Sequence, residues 1–587
     1  MVFAILTVGG FADVLTTGVE HLEYHLDTPN VVNVIRIDKQ QAECRLKIGF
    51  PQGKRNYSGK ATVSDILKTY RASGERVVAA INGSFFGEGS GISGFLASEG
   101  NYVQPSGSSW ETLGILMNGD CIIERSVTND DGILTFPDNS YMSIDLLNQV
   151  RNPDTVVCYT PDWGKSTTTT AQGVEVVLTN VSYPMRPDKE VIGRVAEIRK
   201  GSKSIDTPIP LDGMVLSARD DSAKSLLSRV NQGQLLGIRW GITPNIYVNA
   251  DLMITGAGWI LHEGNPHTAV WAEFSASLAE TRHPRTAIAW NDQSIFLVTC
   301  DGRQIGRSTG MTFKELADFL IFPLCATDAI NLDGGGSTTM ALLKNGESRV
   351  VNSPSDKALP GNNGKERPVA NAVLLVEEPQ QPFILSDSFS RDGRLLLWDD
   401  KFTYNRVISN KTVSPGGDGY VMRVWDEKGG YNATRLGSAF ARNYSIEAHI
   451  YCEYRPDVAS DGYERYALFA RDDGNANFDT PQLGGGNCYC LTFDSDDGRI
   501  RAAKVVHGTI TDLLPDKKFM KSTAWHKFRI DCVNNKIRYY LDDNLLLEAE
   551  DESFPRGCFG IAHHEYFGNN NNAHGTRADN FKARSLP

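Results

Sequence analysis

The chain has 587 residues, more than one hydrophobic core usually organises, so two or more domains are expected. Its apolar share of 41% and charged share of 22% are typical of soluble globular proteins. The formal net charge of -12 argues against nucleic-acid binding, which normally uses a basic face. No stretch approaches the roughly 18 consecutive apolar residues that a transmembrane helix requires.

The N-terminal segment, Met1 to Leu15, is mildly apolar, but it lacks a basic start and Asp13 interrupts it. We interpret it as domain sequence rather than as a signal peptide. Five of the ten cysteines precede residue 379 and five follow it, so each half keeps at least one free thiol if bridges stay within domains. The cysteine and histidine spacings do not fit a structural zinc site.

The first part of the chain combines predicted strands with few helices. A helix is predicted over residues 63–72, ending near Gly74, and a second one starts at Thr312, where Thr312 and Glu315 form a capping box. Apolar runs predict buried strands at residues 31–37, 77–81, 294–298 and 372–376. Residues 1–378 are therefore expected to form an α+β domain with mixed sheets.

A short segment rich in proline and glutamine follows, and we assign residues 379–384 to an interdomain linker. Beyond it, residues 385–587 predict strands only. Phe528, Ile530 and Cys532 alternate with charged residues, and the alternation resumes after Asn535. The pattern predicts an all-β jelly-roll sandwich.

The segment at residues 329–342 is the most informative one for chemistry. A predicted strand ends in Asp333, the glycines Gly334, Gly335 and Gly336 follow, and then come the hydroxyl residues Ser337, Thr338 and Thr339. Three successive glycines favour a backbone that something approaches closely or that adopts positive φ. The aspartate can bind a sugar hydroxyl, a metal or a proton, and the loop amides can form an anion-binding nest. A tight turn with an incidental aspartate is the competing interpretation.

Three further segments place polar side chains at the ends of predicted strands. Asn82 comes just before a glycine and the aromatic Phe85, Arg285 opens a strand two residues after His283, and Arg367 precedes Asn371 at the last strand of the block. Arginine suits phosphate because its planar group donates two hydrogen bonds to two oxygens. Each arginine is also compatible with an ordinary surface ion pair.

Taken together and in this order, these segments resemble the phosphodiester glycosidase family. The resemblance covers roughly residues 19 to 377 and rests on residues 82–86, 283–287, 299–303, 310–316, 331–339 and 366–371. It implies an enzyme that hydrolyses a glycosyl phosphodiester, such as one that carries N-acetylglucosamine. A P-loop is disfavoured because the lysine of that motif is missing after the glycines.

The resemblance implies a pocket that contains Asn82, Phe85, Asn371 and the loop from Gly334 to Thr339. For this pocket we expect Asp333 as general acid or base and Asp301 as the second carboxylate. Arg285 and Arg367 are expected to hold the phosphate or a substrate carboxylate. His283 is either a base or a buried structural histidine. A divalent cation near Asp301 or Asp333 is compatible with these residues, although no motif requires one.

At one position the chain departs from the family pattern. Bacterial relatives often carry a proline after a glycine-rich turn where this chain has Trp259. If that turn borders the pocket, Trp259 changes which sugar fits. A polysaccharide-cleaving glycosidase or a uronate polysaccharide lyase on the same fold is therefore a second hypothesis, and a non-catalytic glycan-binding surface protein is a third.

The C-terminal block resembles concanavalin A-like and laminin-G-like jelly rolls. This implies a carbohydrate-binding or a structural module, in which Tyr420, Trp425 or Tyr566 can stack on sugars or fill the core. The expected partner is a glycan or glycoconjugate, and family resemblance places the protein outside the cytoplasm. The oligomeric state is not predicted.

Overall fold

The computed structural model divides into two compact units, Met1–Glu378 and Pro379–Pro587. In the first unit it describes residues 12–378 apart from 54–58, 88–90, 105–109, 117–118, 126, 182–183, 203–204, 345 and 358–363. In the second unit it describes residues 383–586 apart from 390–392, 395–397, 401–405, 410–414, 416–418, 425–430, 438–440, 457–461, 474–485 and 568–574. Most of the linker that we assigned to residues 379–384 lies outside the described residues, and Ile384 already begins a strand.

The first unit consists mainly of strands with a few short helices. Its helices are α1 (Val63–Ala72), α2 (Asp220–Leu227), α3 (Thr268–Trp271), α4 (Ala276–Ala279) and α5 (Phe313–Ile321). Its strands are β1 (Ala12–Thr16), β2 (Val19–Leu26), β3 (Asn30–Asp38), β4 (Cys44–Gly49), β5 (Val77–Asn82), β6 (Leu96–Ser98), β7 (Asn101–Gln104), β8 (Thr112–Leu116), β9 (Cys121–Glu124), β10 (Thr128–Thr135), β11 (Tyr141–Ile144), β12 (Leu146–Leu147), β13 (Val156–Tyr159), β14 (Gly173–Thr179), β15 (Val191–Gly201), β16 (Met214–Ala218), β17 (Leu235–Thr243), β18 (Ala250–Thr255), β19 (Trp259–His262), β20 (Asn265–Pro266), β21 (Arg285–Trp290), β22 (Ser294–Cys300), β23 (Asp328–Asn331), β24 (Met340–Lys344), β25 (Glu347–Val350) and β26 (Ala372–Glu377).

These strands form four sheets. Sheet A has eight strands in the order β1-β2-β3-β22-β21-β23-β19-β20, and sheet B has five in the order β25-β24-β5-β26-β4. Sheet C is β7-β6-β18-β8-β9, and sheet D is β11-β10-β17-β15-β14-β16-β13-β12. All neighbouring strands in sheets A and B are antiparallel. The end of one strand therefore lies beside the start of its neighbour, even when the two are distant in sequence.

Sheets A and B pack face to face, and each carries a helix on its outer face. Their shared core contains Ile288 and Ile330 from sheet A with Ile81 and Val373 from sheet B. Helix α5 covers the other face of sheet A, and α1 covers the other face of sheet B. The result is a four-layer arrangement of helix, sheet, sheet and helix, because each sheet is apolar on both faces and must be covered twice.

The two helices predicted from sequence are present at the expected residues. Helix α1 starts after Thr62, whose side chain accepts a hydrogen bond from the amide of Asp65. Helix α5 has the complete capping box between Thr312 and Glu315. The predicted strands at 31–37, 77–81, 294–298 and 372–376 correspond to β3, β5, β22 and β26.

The second unit is a sandwich of two antiparallel sheets. Its strands are β27 (Ile384–Asp387), β28 (Gly393–Arg394), β29 (Asp399–Asp400), β30 (Arg406–Ser409), β31 (Tyr420–Val424), β32 (Tyr431–Leu436), β33 (Tyr444–Cys452), β34 (Gly462–Asp472), β35 (Cys488–Asp494), β36 (Arg499–Val506), β37 (Thr509–Asp512), β38 (Lys518–Phe519), β39 (Ala524–Val533), β40 (Lys536–Leu541), β41 (Asn544–Glu550), β42 (Cys558–Phe567) and β43 (Thr576–Ser585). Sheet E follows the order β28-β30-β31-β43-β33-β39-β40-β41 and also includes β27. Sheet F follows β29-β32-β42-β34-β35-β36-β37 and also includes β38.

The core of the sandwich contains the residues that the alternating pattern predicted. Phe528, Ile530 and Cys532 are buried together with Ile537 and Tyr539. The fold class, a mostly β first unit with few helices and an all-β sandwich after it, is thereby confirmed.

The cysteines are thiols, because none of the ten forms a disulfide. Most of them are buried and pack as small core residues. No helix among the described residues is long and apolar enough to cross a membrane.

Candidate active site

The motifs predicted from sequence meet at one edge of sheets A and B. Strands β5, β22 and β23 end at this edge, and β21, β24 and β26 begin there, because their partners run antiparallel. The residues that follow or precede these strand ends therefore come together, although they are spread along the chain. We define the loop 333–339, between β23 and β24, as the glycine loop.

Asp333 is held inside the glycine loop by hydrogen bonds. Its Oδ1 accepts from the amide of Gly334 at 2.9 Å, and the hydroxyl of Ser337 donates to the same carboxylate. Burial raises the pKa of Asp333 above its ordinary value, while these hydrogen bonds and the charge of Arg367 act in the opposite direction. The side chain is half-buried and reaches the surface of the loop.

The glycines are explained by two arginines that approach the loop. Gly335 has a φ of +61°, and an added methyl group there would lie 3.1 Å from Nη2 of Arg303. A methyl group on Gly336 would collide with the guanidinium of Arg367 and would lie 2.7 Å from Oδ1 of Asp356. Glycine thus suits the positive φ at residue 335 and leaves room for the Arg367 guanidinium at residue 336.

The loop amides do not form the anion nest that the glycines suggested. The amide of Gly335 donates to Pro284 O at 2.9 Å, and that of Thr339 donates to Asn82 Oδ1 at 3.1 Å. The amides of Gly334, Ser337 and Thr338 donate to acceptors within the loop itself. These five amides are thus engaged within the fold, which favours side chains for anion binding at this edge.

Asn82 connects both sheets to the glycine loop. Its Nδ2 donates to Asp333 O at 2.6 Å, and its Oδ1 also accepts from the hydroxyl of Thr286 at 2.7 Å. Thr286 lies 3.3 Å from the hydroxyl of Thr338. Because Asn82 is fully buried, it positions the loop rather than offering its amide to solvent.

Asn371 fixes the turn that follows Asn82. Its Oδ1 accepts from the amide of Ser84 at 2.8 Å, and its backbone oxygen accepts from the amide of Gly83 at 3.1 Å. Asp333 in turn donates its amide to Gly83 O at 3.3 Å. Asn371 is buried and supports the turn on which Phe85 stands.

Arg367 lies at the glycine loop. Its Nε and Nη2 donate to Asp356 Oδ1 at 3.0 and 2.8 Å, and Nη1 reaches Ser337 Oγ at 3.5 Å. Asp356 therefore holds the guanidinium against Gly336, close to Asp333.

Arg285 lies on the opposite face of β21 and does not face the glycine loop. Its Nε donates to Met311 O at 2.7 Å, and its Nη2 donates to Leu278 O and Thr281 O. The guanidinium also lies 4.7 Å from the centre of the Phe313 ring. The structure thus gives Arg285 a part in holding α4 and α5 on sheet A, which differs from the phosphate contact that we expected.

Asp301 is buried beneath the loop. Its carboxylate accepts from the amide of Ser353 at 2.9 and 3.0 Å and from Asn352 Nδ2 at 3.1 Å. Burial raises the pKa of Asp301 to about 6, against the lowering effect of these donors. Asn352 also donates to Thr338 O at 3.1 Å, so Asp301 supports the far end of the glycine loop.

His283 is fixed through both ring nitrogens. Its Nε2 lies 2.9 Å from Ser277 O, an acceptor, and its Nδ1 lies 3.2 Å from Nη2 of Arg303. This assigns the proton to Nε2 and leaves Nδ1 to accept from the arginine. Burial and the neighbouring charges of Arg285 and Arg303 lower the pKa of His283, which favours the neutral ring.

An aromatic pair stands beside the turn after Asn82. The rings of Phe85 and Trp110 are 5.3 Å apart at 66°, an edge-to-face arrangement. Both residues are half-buried. The turn bearing Phe85 is hydrogen-bonded to Asp333, so an apolar wall lies next to the polar loop.

Trp259 packs with two histidines at the start of β19. Its ring lies 4.5 Å from that of His262 and 5.0 Å from that of His267. Trp259 pairs with Ile330 on β23, three residues before Asp333. Its described contacts are therefore with these histidines and with the hydrophobic core, and none of them is with the glycine loop.

Among the described residues, no group of three or more histidine, cysteine, aspartate or glutamate side chains is placed to hold a metal ion. The carboxylate of Asp301 is occupied by N–H donors on both oxygens. The site geometry thus offers hydrogen-bond donors and charges rather than a ligand cage.

Sequence reasoning missed three side chains at this site: Arg303, Asp356 and Trp110. Arg303 belongs to a motif that the sequence analysis used, directly after Asp301 and Gly302, but no role was predicted for it. Asp356 belongs to the polar segment 352–356, which wraps around the loop through Asp301, Gly335 and Arg367. Trp110 had no local signal, because its contact with Phe85 joins separate elements.

Comparison with known proteins identifies part of the first unit. Residues 189–376 match the family described as phosphodiester glycosidase. The match includes Asp301, Arg303, Asp333 and Arg367, but it begins after β5, so Asn82 lies outside it. It supports the family resemblance for this part of the chain. No match to the chain was found among curated proteins.

Solved structures give weak overall likenesses. A hypothetical protein from Synechocystis is 20% identical, with 62% of this chain and 62% of that chain covered and a TM-score of 0.44. The zebrafish N-acetylglucosamine-1-phosphodiester alpha-N-acetylglucosaminidase catalytic domain is 14% identical, with 64% and 85% covered and a TM-score of 0.33. The carbohydrate binding module CBM66 from Bacillus subtilis is 17% identical, with 32% and 96% covered and a TM-score of 0.23.

The chain thus spans less than two thirds of the length of the Synechocystis protein. All three TM-scores are below 0.5, so these likenesses do not identify a function.

Proposed function

We propose that the first unit hydrolyses a glycosyl phosphodiester, releasing a free sugar and a phosphomonoester. The observation that carries the proposal is the Asp333 carboxyl group, held by Gly334 and Ser337 beside the guanidinium of Arg367. The family match over residues 189–376 supports the same reaction class.

In this reaction Asp333 acts as the general base. It accepts a proton from a water molecule, the water oxygen bonds to the anomeric carbon, and the bond from that carbon to the phosphate oxygen breaks. A phosphomonoester leaves far more readily than an alkoxide, so a protonated acid on the leaving side is less important. The raised pKa of Asp333 makes its carboxylate a stronger base than an ordinary aspartate.

Arg367 contributes positive charge beside the glycine loop. Because Asp356 holds its Nε and Nη2, Nη1 is the group turned towards Ser337 and the substrate. Asp301 and Asn82 act through the backbone, by fixing the loop from below.

Phe85 and Trp110 supply the apolar contact for a sugar ring. Aromatic side chains stack on the C–H faces of sugars, and Phe85, whose ring contacts that of Trp110, stands on the turn to which Asp333 is hydrogen-bonded. A longer substrate that reached His262 and His267 would also contact Trp259. Substitution of Trp259 would then change the sugar preference.

The proposal is tested by product analysis with wild-type protein and the Asp333→Asn variant. The substrates are an N-acetylglucosamine phosphodiester, neutral polysaccharides and polysaccharides that contain uronate. Free sugar and phosphomonoester are expected, with a loss of about 10²–10⁴-fold in the variant. Unsaturated uronate products would establish the lyase alternative, and glycan binding without turnover of any substrate would establish the non-catalytic one.

For the second unit we propose glycan binding through sheet E. Tyr451 and Trp525 are direct cross-strand partners, with ring centres 5.3 Å apart, and both lie on the face opposite the core. Arg577 lies over the Tyr451 ring at 4.4 Å. Tyr420 instead packs against the core, the side chain of Tyr566 is not described, and Trp425 lies outside the described residues.

Affinity electrophoresis of the full chain in polysaccharide gels tests this role. Retardation by at least one polysaccharide is expected, and Trp525→Ala should abolish it while Phe519→Ala, at an exposed position, should not. Unretarded migration in every gel would favour a structural role for the sandwich.

We also propose that the protein acts outside the cytoplasm on glycoconjugates. The absence of disulfides neither requires nor opposes this location. Fractionation of the native host, followed by detection with an antibody, tests it directly.

A further inference from the structure

Arg303 occupies a strained position next to the glycine loop. It follows the end of β22 by three residues and has a φ of +59°, a backbone conformation that residues other than glycine rarely adopt. Backbone conformations of this kind are often found at functional sites. Its side chain is exposed, so burial in a core does not explain the strain.

The guanidinium of Arg303 lies over the loop. A methyl group on Gly335 would be 3.1 Å from its Nη2 and 3.2 Å from its Nη1. The charged group therefore rests two residues along the chain from Asp333, whereas the guanidinium of Arg367 lies at Gly336.

His283 orients this guanidinium without neutralising it. Nη2 of Arg303 donates to Nδ1 of His283 at 3.2 Å, and the other ring nitrogen is fixed by Ser277 O at 2.9 Å. A neutral imidazole accepts a hydrogen bond but leaves the positive charge uncompensated.

The three arginines near the site differ in the groups to which their guanidinium donates. Arg285 donates to backbone carbonyls on the far face of β21, and Arg367 is paired with Asp356. Within the part of the chain that the structure describes, Arg303 has no carboxylate at salt-bridge distance. With respect to the described residues, it is thus an oriented and exposed cation at the loop without a paired carboxylate.

We propose that Arg303 binds the anionic group of the substrate and that His283 is the residue that positions it. This inference rests on the proposed function for the substrate class, a phosphodiester, although the site itself recognises an oxyanion. A guanidinium matches two oxygens of a phosphate or of a carboxylate, so both sources are compared in the test.

The test is a calorimetric titration of the full chain with inorganic phosphate, glucuronate and neutral N-acetylglucosamine. The variants are Arg303→Gln, Arg303→Lys and the control Arg282→Gln, which removes an equal charge from an exposed arginine paired with Glu315. Arg303→Gln should weaken phosphate binding about 10- to 100-fold, Arg303→Lys less, and Arg282→Gln not measurably. The affinity for N-acetylglucosamine should stay unchanged in all of them.

His283 is tested by the same titration. His283→Gln, which can still accept a hydrogen bond, should retain more phosphate affinity than His283→Ala. Equal losses in the two variants would contradict the positioning role.

The outcomes separate this inference from the proposed reaction. Unaltered phosphate and glucuronate binding by Arg303→Gln, an equal loss of N-acetylglucosamine binding, or no anion binding by the wild-type protein would overturn the inference. Arg303-dependent binding of glucuronate alone would support the anion site but contradict a phosphodiester substrate. Arg303-dependent phosphate binding without phosphodiester turnover would support the site and contradict only the reaction.

Discussion

The side-chain amide of Asn82 donates to the main-chain oxygen of Asp333 at 2.6 Å. This hydrogen bond joins the end of β5 in sheet B to the loop after β23 in sheet A. The geometry of the candidate site thus depends on how two sheets are held together at one edge. A buried asparagine, rather than a group exposed to substrate, fixes that relationship.

Replacing Asn82 with alanine should destabilise the first unit. The change leaves the amide of Thr339 and the hydroxyl of Thr286 without their acceptor in a buried place, so the unfolding free energy should fall by about 2–4 kcal/mol. Urea denaturation measures this change in unfolding free energy. Asn265→Ala, at an exposed hairpin, is the control and should change the unfolding free energy by less than about 0.5 kcal/mol. Equal effects of the two variants would contradict the role of Asn82.

Replacing Gly336 with alanine should displace Arg367. The added methyl group occupies the space of the guanidinium and of Asp356, so hydrolysis should fall at least about 10-fold while the chain still folds. Steady-state kinetics and circular dichroism measure the two effects. Gly91→Ala is the matched control, because a methyl group there meets no atom within 4 Å. Full activity of Gly336→Ala would show that Arg367 need not lie against the loop.

Trp110→Ala should raise KM for the sugar substrate with little change in kcat. Removing an aromatic contact of this size costs roughly 1.5–3 kcal/mol of binding, which corresponds to about a 10- to 100-fold rise in KM. Trp110→Phe should recover part of the loss, and Phe322→Ala, an exposed aromatic on the end of α5, should have no effect. An unchanged KM in Trp110→Ala would remove Trp110 from the sugar site.

The raised pKa of Asp301 should make stability depend on pH. Burial raises the pKa of this carboxyl from 3.8 to about 6, so between these values the folded protein binds more protons than the unfolded chain. Its contribution to the unfolding free energy therefore falls as pH rises, by roughly 3 kcal/mol in all. The difference between wild-type and Asp301→Asn stability, followed by denaturation from about pH 4 to about pH 7, isolates it. A difference that stays constant over this range would contradict the assignment.

Much of the architecture could be predicted because it is local. The capping box of Thr312 and Glu315 requires only neighbouring residues, and the alternation around Phe528 shows which side chains face the core. The family resemblance also implied that the asparagine, aspartate and arginine motifs share one pocket.

The direction of Arg285 could not be predicted without the sheet order. On β21, Ala287 and Ala289 face α5, and Ile288 faces sheet B. Side chains alternate along a strand, so Arg285 points with the alanines towards α5 and Thr286 points towards the loop. A motif supplies the residue type at a strand end, but the helix that covers one face decides which side chain reaches the site.

Asp356 and Trp110 depend on contacts between distant segments. Asp356 meets Arg367 only because the chain after β25 returns across the glycine loop, where Asp301 holds Asn352 and Ser353. These contacts leave no periodic pattern in the sequence, and for that reason they appear only in the folded protein.

The measurement that tests the central claim most directly is hydrolysis of an N-acetylglucosamine phosphodiester in heavy-oxygen water, with mass spectrometry of both products. If Asp333 activates water for attack on the anomeric carbon, the heavy oxygen should appear in the sugar, and Asp333→Asn should slow its incorporation. Heavy oxygen in the phosphomonoester instead would mean that the phosphorus–oxygen bond breaks, and would contradict a glycosidase mechanism at this site.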